Sequence, residues 1–105
     1  MANFIRTPSI NVGNSPVTIF TATSNTVVIG LSIANVYGRT LPVSVWHDDS
    51  GSIAYILKNY RVGPGDTEEY MRGNKIVLQT GDTLKAETAL ANGFDIYVSV
   101  LEGLT

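Results

Sequence analysis

Hydrophobic and polar positions alternate with a period of two along much of this chain. Phe94, Ile96, Val98 and Val100 form an apolar row set against Asp95, Tyr97, Ser99 and Leu101. Such alternation predicts a strand with one face in a core. Over residues 41 to 48, Leu41, Val43, Val45 and His47 share one face, and Pro42, Ser44, Trp46 and Asp48 share the other. The first set is the expected core side, which leaves Trp46 and Tyr97 facing away from it. Residues 27 to 36 differ, because Val27, Ile29, Leu31 and Ile33 on one side and Val28, Ala34 and Val36 on the other make both faces apolar. A strand of this kind is expected to be covered on both sides, by its own domain or by a neighbouring subunit.

Turn signals separate these runs at Gly13-Asn14-Ser15-Pro16, Ser24-Asn25, Tyr37-Gly38-Arg39, Asp49-Ser50-Gly51, Gly63-Pro64-Gly65-Asp66, Gly73-Asn74, Gly81-Asp82 and Asn92-Gly93. Their regular spacing is that of sandwiches and barrels. Strands are predicted near 8 to 12, 16 to 22, 26 to 37, 41 to 48, 52 to 60, 66 to 72, 74 to 80, 83 to 88 and 93 to 102. No segment carries an i, i+3, i+4, i+7 stripe, and Asp66 to Met71 offers the sole short helical possibility. The expected fold is all-β: a single-domain antiparallel β-sandwich over residues 1–105, jelly-roll-like or Ig-like, with about eight strands and little or no helix. Residues 1–15, which include Phe4 and Ile5, are expected to extend as a docking arm.

Composition narrows the functional classes. The chain has 105 residues, 44% of them hydrophobic, with 11 Val, 11 Thr, 9 Ile and 5 Tyr, a strand-forming mixture that can support one core. Charged residues make up 15% against roughly 25% in typical domains. A net charge of −2 gathers no phosphates, so nucleic-acid binding is not expected. There is no Cys, which removes disulfides, thiolate metal sites and Cys nucleophiles. From Thr7 to Gly38 there are 32 residues without a formal charge, but Pro8, Asn11, Asn14, Pro16 and Asn25 interrupt them, and no membrane span is expected. The opening residues show no charged leader before an apolar run, so no secretory signal is expected either.

The chemistry-bearing residues do not converge. His47, Asp48 and Asp49 adjoin a turn, and neighbours in a strand point to opposite faces, so a metal site is not expected and the acids fit local backbone hydrogen bonding. Ser and Thr are abundant, yet only one imidazole exists to activate a hydroxyl. Gly63-Pro64-Gly65-Asp66 lacks the spacing and Lys of a phosphate loop and fits a turn. Glu68 and Glu69 face opposite sides of a strand and fit solvent or interface charges near a sheet edge. No catalytic residue and no cofactor are expected. Trp46, Tyr97, Tyr55, Tyr60 and Tyr70 form a more promising recognition set, for protein contact first and for sugar stacking second. The interface candidates are Trp46, Tyr97, Tyr55, Val28, Val36, Phe4 and Ile5.

Three ordered runs carry a family likeness: Ala54-Tyr55-Ile56-Leu57-Lys58-Asn59-Tyr60-Arg61-Val62-Gly63-Pro64-Gly65-Asp66, Asn74-Lys75-Ile76-Val77-Leu78-Gln79-Thr80-Gly81-Asp82-Thr83-Leu84-Lys85-Ala86, and Phe94-Asp95-Ile96-Tyr97-Val98-Ser99-Val100-Leu101-Glu102. With Val28 to Asn35 before them, they resemble small virion structural proteins of tailed bacteriophages, chiefly of cyanophages and other marine phages. The resemblance covers roughly residues 26 to 103. It implies a noncatalytic part of a phage particle, made in the host cytoplasm: a capsid decoration or cement protein, with a tail, neck or fibre component as the alternative. The implied partners are a major capsid protein or another virion protein and further copies of the chain, a trimer being the favoured oligomer. A carbohydrate-binding β-module for host attachment, using Trp46 and the tyrosines, is the alternative from another class.

Overall fold

The computed structural model describes residues 3–49, 51–69, 75–90 and 92–104. Among the described residues there are nine strands: β1 (Asn3–Val12), β2 (Val17–Thr21), β3 (Asn25–Asn35), β4 (Leu41–Asp49), β5 (Ser52–Val62), β6 (Thr67–Glu69), β7 (Ile76–Leu78), β8 (Thr83–Thr88) and β9 (Phe94–Leu104). No helix occurs among them. Thr67–Glu69 is strand, and Tyr70, Met71 and the Gly73-Asn74 turn lie outside the described residues.

The strands form two antiparallel sheets. One has the order β1-β9-β3-β6, with β7 also on β3, and the other runs β2-β8-β4-β5. Successive strands cross between the sheets except at the β4-β5 hairpin and at β6 and β7, which share one edge. Each sheet turns an apolar face to the other, as a sandwich requires. From the first sheet come Val28, Leu31, Ile33, Leu78, Phe94, Ile96, Val98 and Val100, and from the second Ile19, Phe20, Leu41, Val43, Val45, Leu57, Leu84 and Ala86. The period-two row of β9 and, in β4, Leu41, Val43 and Val45 therefore mark the core as their alternation predicts, while His47 at the end of the β4 row lies outside it. The radius of gyration, 13.2 Å, is that of one domain of this size.

Two sequence expectations are corrected. Residues 3 to 12 do not extend as an arm: they are an edge strand of this fold, paired with β9 from Asn3↔Glu102 to Val12↔Phe94. Pro8 does not prevent this, because a proline without an N–H is tolerated on an edge strand. In β3, Val28 lies inside at 0% exposure, so it presents nothing to a partner. The cause is a register shift between Val28 and Gly30 against β9, which inserts Ile29 as an extra residue and turns it outward. Gly30 lets the strands approach closely there, since a Cβ at this position would stand 3.3 Å from the Ser99 Cβ and Ser99 would have to give by a few tenths of an ångström.

Asn35, itself buried, ties the end of β3 to the loops around it. Its side-chain nitrogen donates to the carbonyls of Arg39 (2.9 Å) and Val62 (2.8 Å), and its oxygen accepts the Tyr37 N–H (2.8 Å). The Gly63 to Asp66 turn is held on the same residue, with Gly65 N–H donating to the Asn35 carbonyl and Asp66 N–H to that of Gly63. Gly65 has φ +77, a conformation that glycine adopts without strain, so these four residues form the turn that their composition predicts.

Candidate assembly surface

The outer face of the β1-β9-β3 sheet carries an apolar row at right angles to the strands. Phe4 on β1 pairs with Leu101 on β9, Leu101 with Val27 on β3, and Val27 with Val77 on β7. Directly paired residues share a face, so these four side chains form one continuous line. Its ends are open: Phe4 is 77% and Val77 63% exposed. The bulged Ile29 adds a further exposed apolar side chain near the row. Val77 and Ile29 are interface candidates that alternation did not single out. A bulge leaves no period-two mark, and β7 is too short to show its sidedness.

The remaining candidates on this side differ in setting. Ile5 pairs with the buried Val100 and faces the sandwich interior, yet it keeps 38% exposure because β1 is an edge. Val36 lies just past β3, exposed, with its N–H donating to the Gly93 carbonyl at 3.0 Å. Tyr97 stands on the outer face in register with Pro8 and Ser32. Its hydroxyl accepts a hydrogen bond from Arg6 Nη1 at 3.1 Å, which fixes the ring.

A second aromatic group lies on the outer face of the other sheet. Trp46 pairs with Tyr55 on one side and Lys85 on the other, and the two aromatic centroids are 5.7 Å apart at a tilt of 53°. Lys58 places its ammonium 4.3 Å from the Tyr55 ring centre, a cation–π arrangement. Alternation puts Trp46 on the correct face, outside the core cluster, but the expectation that it is an open contact residue is wrong, because it is only 6% exposed. Its cross-strand neighbours enclose it, and long aromatic and Lys side chains cover apolar surface efficiently. Tyr55 and, near it, Ile53 remain exposed, so the outward apolar character of this face passes from Trp46 to β5.

His47 and Asp48 separate, as opposite faces dictate. His47 Nε2 lies 2.9 Å from Asp82 Oδ2, and Asp48 pairs with Lys85 at 3.1 Å. The Asp82 carboxylate also accepts the Gln79 N–H at 3.0 Å, and that bond, followed by His47, holds its pKa below the ordinary carboxylate value. Asp48 is lowered in the same way, first by the Gly51 N–H and then by Lys85. These acids secure turns and strand ends. Glu68 accepts from the Tyr60 hydroxyl at 3.3 Å, and Glu69 accepts the Leu31 N–H at 2.9 Å, so both acids fasten the β6 edge. Among the described residues, no three His, Cys, Asp or Glu gather as metal ligands.

No family model matches the chain, and neither does any curated protein. Among solved structures, the fold is shared with a protein of Bacillus endospore appendages, which form a family of disulfide-linked pili. That match has a TM-score of 0.57 and 11% identity, and covers 100% of this chain and 88% of the other. The fold is also shared with a pentameric capsid protein isolated from metagenomic phage sequences, at a TM-score of 0.50 and 17% identity in each of two structures. There the match covers 95% of this chain but only 60% and 61% of the capsid protein. Identities this low establish a common fold. The fold is thus one found in a phage capsid protein and in a spore pilus protein.

Proposed function

We propose that this chain is a noncatalytic structural subunit of a phage particle, one that decorates or cements the capsid and assembles with copies of itself. The observation that carries this reading is the apolar Phe4-Leu101-Val27-Val77 row, open at both ends, on a fold shared with a capsid subunit. The strand order supports it further. If β6 and β7 count as halves of one interrupted edge strand, β1-β9-β3-β6/β7 over β2-β8-β4-β5 is the order of an eight-stranded jelly roll, an architecture of viral capsid domains. Weak contacts repeated over many equivalent sites give a small subunit adequate hold on a shell, and closed symmetry covers its apolar row.

The likeness to the pilus protein favours a second reading, a tail or fibre component built of repeating subunits. The neighbour's pili are disulfide-linked, whereas this chain has no Cys, so any filament of it would be held without disulfides. Electron microscopy of particles made with and without the protein separates the readings. Loss of density from the capsid surface is the expected result. Unchanged capsid density with missing tail, neck or fibre density would overturn the capsid placement.

A further inference from the structure

We propose that Asn92-Gly93 is a deamidation site gated by the fold, inert while the end of β1 is docked and converted to aspartate and isoaspartate once that end lifts. The backbone dictates both residues. Asn92 is exposed in the turn before β9 with φ +58, a left-handed conformation in which Asn is one of the few side chains readily tolerated. Gly93 is buried, and a Cβ on it would lie 2.8 Å from Thr88 Cγ2 and 2.9 Å from Leu41 Cδ1. The turn thus places side by side the two residues that deamidate most readily, because a glycine has no Cβ to hinder the approach of its nitrogen to the preceding side-chain amide.

In the reaction the Gly93 nitrogen gives its proton to hydroxide and attacks Asn92 Cγ. A C–N bond forms and closes a succinimide, while the side-chain nitrogen takes a proton from water and leaves as ammonia, returning the hydroxide. Water then opens the ring at either carbonyl. The fold blocks the first step. The Gly93 N–H donates to the Val12 carbonyl at 2.9 Å, and the Gly93 carbonyl accepts the Val36 N–H at 3.0 Å. Held between the ends of β1 and β3, with Thr88 and Leu41 against its α-carbon, Gly93 has no room to swing its nitrogen onto Asn92 Cγ. The lock depends on β1. Val12 is its last residue, set off from the regular ladder by the register shift between Ser9 and Val12, on an edge strand. Such an end opens locally at a lower cost than the sandwich unfolds. Isoaspartate adds a carbon to the main chain and a charge beside a buried glycine, so the bond to Val12 does not re-form and the lifted end is trapped. The inference concerns this turn and holds whether the subunit sits on a capsid, a tail or neither.

The test is to hold the chain at mildly alkaline pH, folded or unfolded in urea, and to digest samples with trypsin over time. Cleavage after Lys85 releases residues 86–105, in which Asn92 is the one amide side chain, so an amide-to-acid mass gain in that peptide reports this site alone. Chromatography resolves its isoaspartate form. The unfolded chain is expected to convert readily, and the folded chain at least about ten-fold more slowly, in proportion to the fraction of time the end is open. Urea added below the unfolding transition is expected to leave the folded rate nearly unchanged, since lifting one strand end exposes little surface. Val12→Ala, which loosens that end, is expected to raise the rate with the fold retained, and the urea series decides if this variant unfolds. Equal rates in the folded and unfolded chains would overturn the proposal, as would an unfolded chain that does not convert. A folded rate that climbs with urea in step with the unfolded fraction, or a folded Val12→Ala chain that converts no faster than the parent, would show that β1 is not the gate and overturn it equally.

Discussion

Glu69 Oε2 accepts the backbone N–H of the buried Leu31 at 2.9 Å, at the point where β3 changes edge partner. Thr26 to Val28 pair with β7, and Ser32 to Ala34 pair with β6. The carboxylate thus occupies the break between two short edge strands and supplies the acceptor that neither backbone offers to Leu31. Glu69→Ala is expected to destabilise the fold by about 1–3 kcal/mol, the cost of an unsatisfied buried donor. Glu69→Gln retains an acceptor and is expected to lose clearly less. Urea denaturation of the two variants checks this, and equal losses would show that the contact with Leu31 is not what matters.

Trp46 belongs with the stability of the domain, although it lies outside the core cluster. Trp46→Ala is expected to cost about 3–5 kcal/mol, comparable with the roughly 2–5 kcal/mol expected for Ile96→Ala in the sandwich interior. An exposed aromatic would change stability by no more than about 0.5 kcal/mol. Thermal and urea unfolding of the isolated chain distinguish the two, and a Trp46 variant as stable as the parent would return this residue to the contact surface.

The contrast between β9 and β3 explains what the sequence could convey. In β9 the alternation runs unbroken, and all four residues of the row from Phe94 to Val100 are buried as it predicts. The β8 limits, Thr83 to Thr88, coincide with the segment between its turn signals. In β3 a single inserted residue at Ile29 reverses the faces on either side of it, and Val28 goes inside against expectation. That insertion is set by pairing with a strand far away in sequence, so no local pattern contains it. Trp46 fails for a related reason: alternation gives the face of a side chain, but the cover over it comes from Tyr55 and Lys85 on other strands. The Phe4 to Val77 row joins four strands from four separate parts of the chain and becomes visible only once the register is known.

Asp82 makes stability depend on pH on the acid side. Its pKa in the folded chain lies below the ordinary value of about 3.9, because the Gln79 N–H and His47 favour its charged form. Above the unfolded value both states are ionised and the full contribution is present. Below it the unfolded chain takes up the proton first, so stability falls as pH drops through the folded value. Asp48, lowered by Gly51 and Lys85, acts with the same sign. The melting temperature is therefore expected to fall below about pH 4 and to fall less steeply in Asp82→Asn. An acid limb of unchanged slope in that variant would remove Asp82 from the account.

Phe4 and Val77 close the two ends of the apolar row, and their exposure makes them the residues through which assembly can be tested without touching the core. Each has most of its side chain in solvent in the single chain, so replacing both by Ser is expected to change folding stability by no more than about 0.5 kcal/mol per site. If copies bury this row against one another, the same change removes apolar contact, worth about 25 cal/mol per Å² covered, and places hydroxyls in the contact. Light scattering after size exclusion is expected to give the parent chain as a closed oligomer, with the mass distinguishing three copies from five. Phe4→Ser with Val77→Ser is expected to give the 11.3 kDa single chain at the same concentration with its melting temperature retained. An oligomer that survives both substitutions would move the contact elsewhere, and the exposed Ile53 and Tyr55 of β5 are then the surface to alter next.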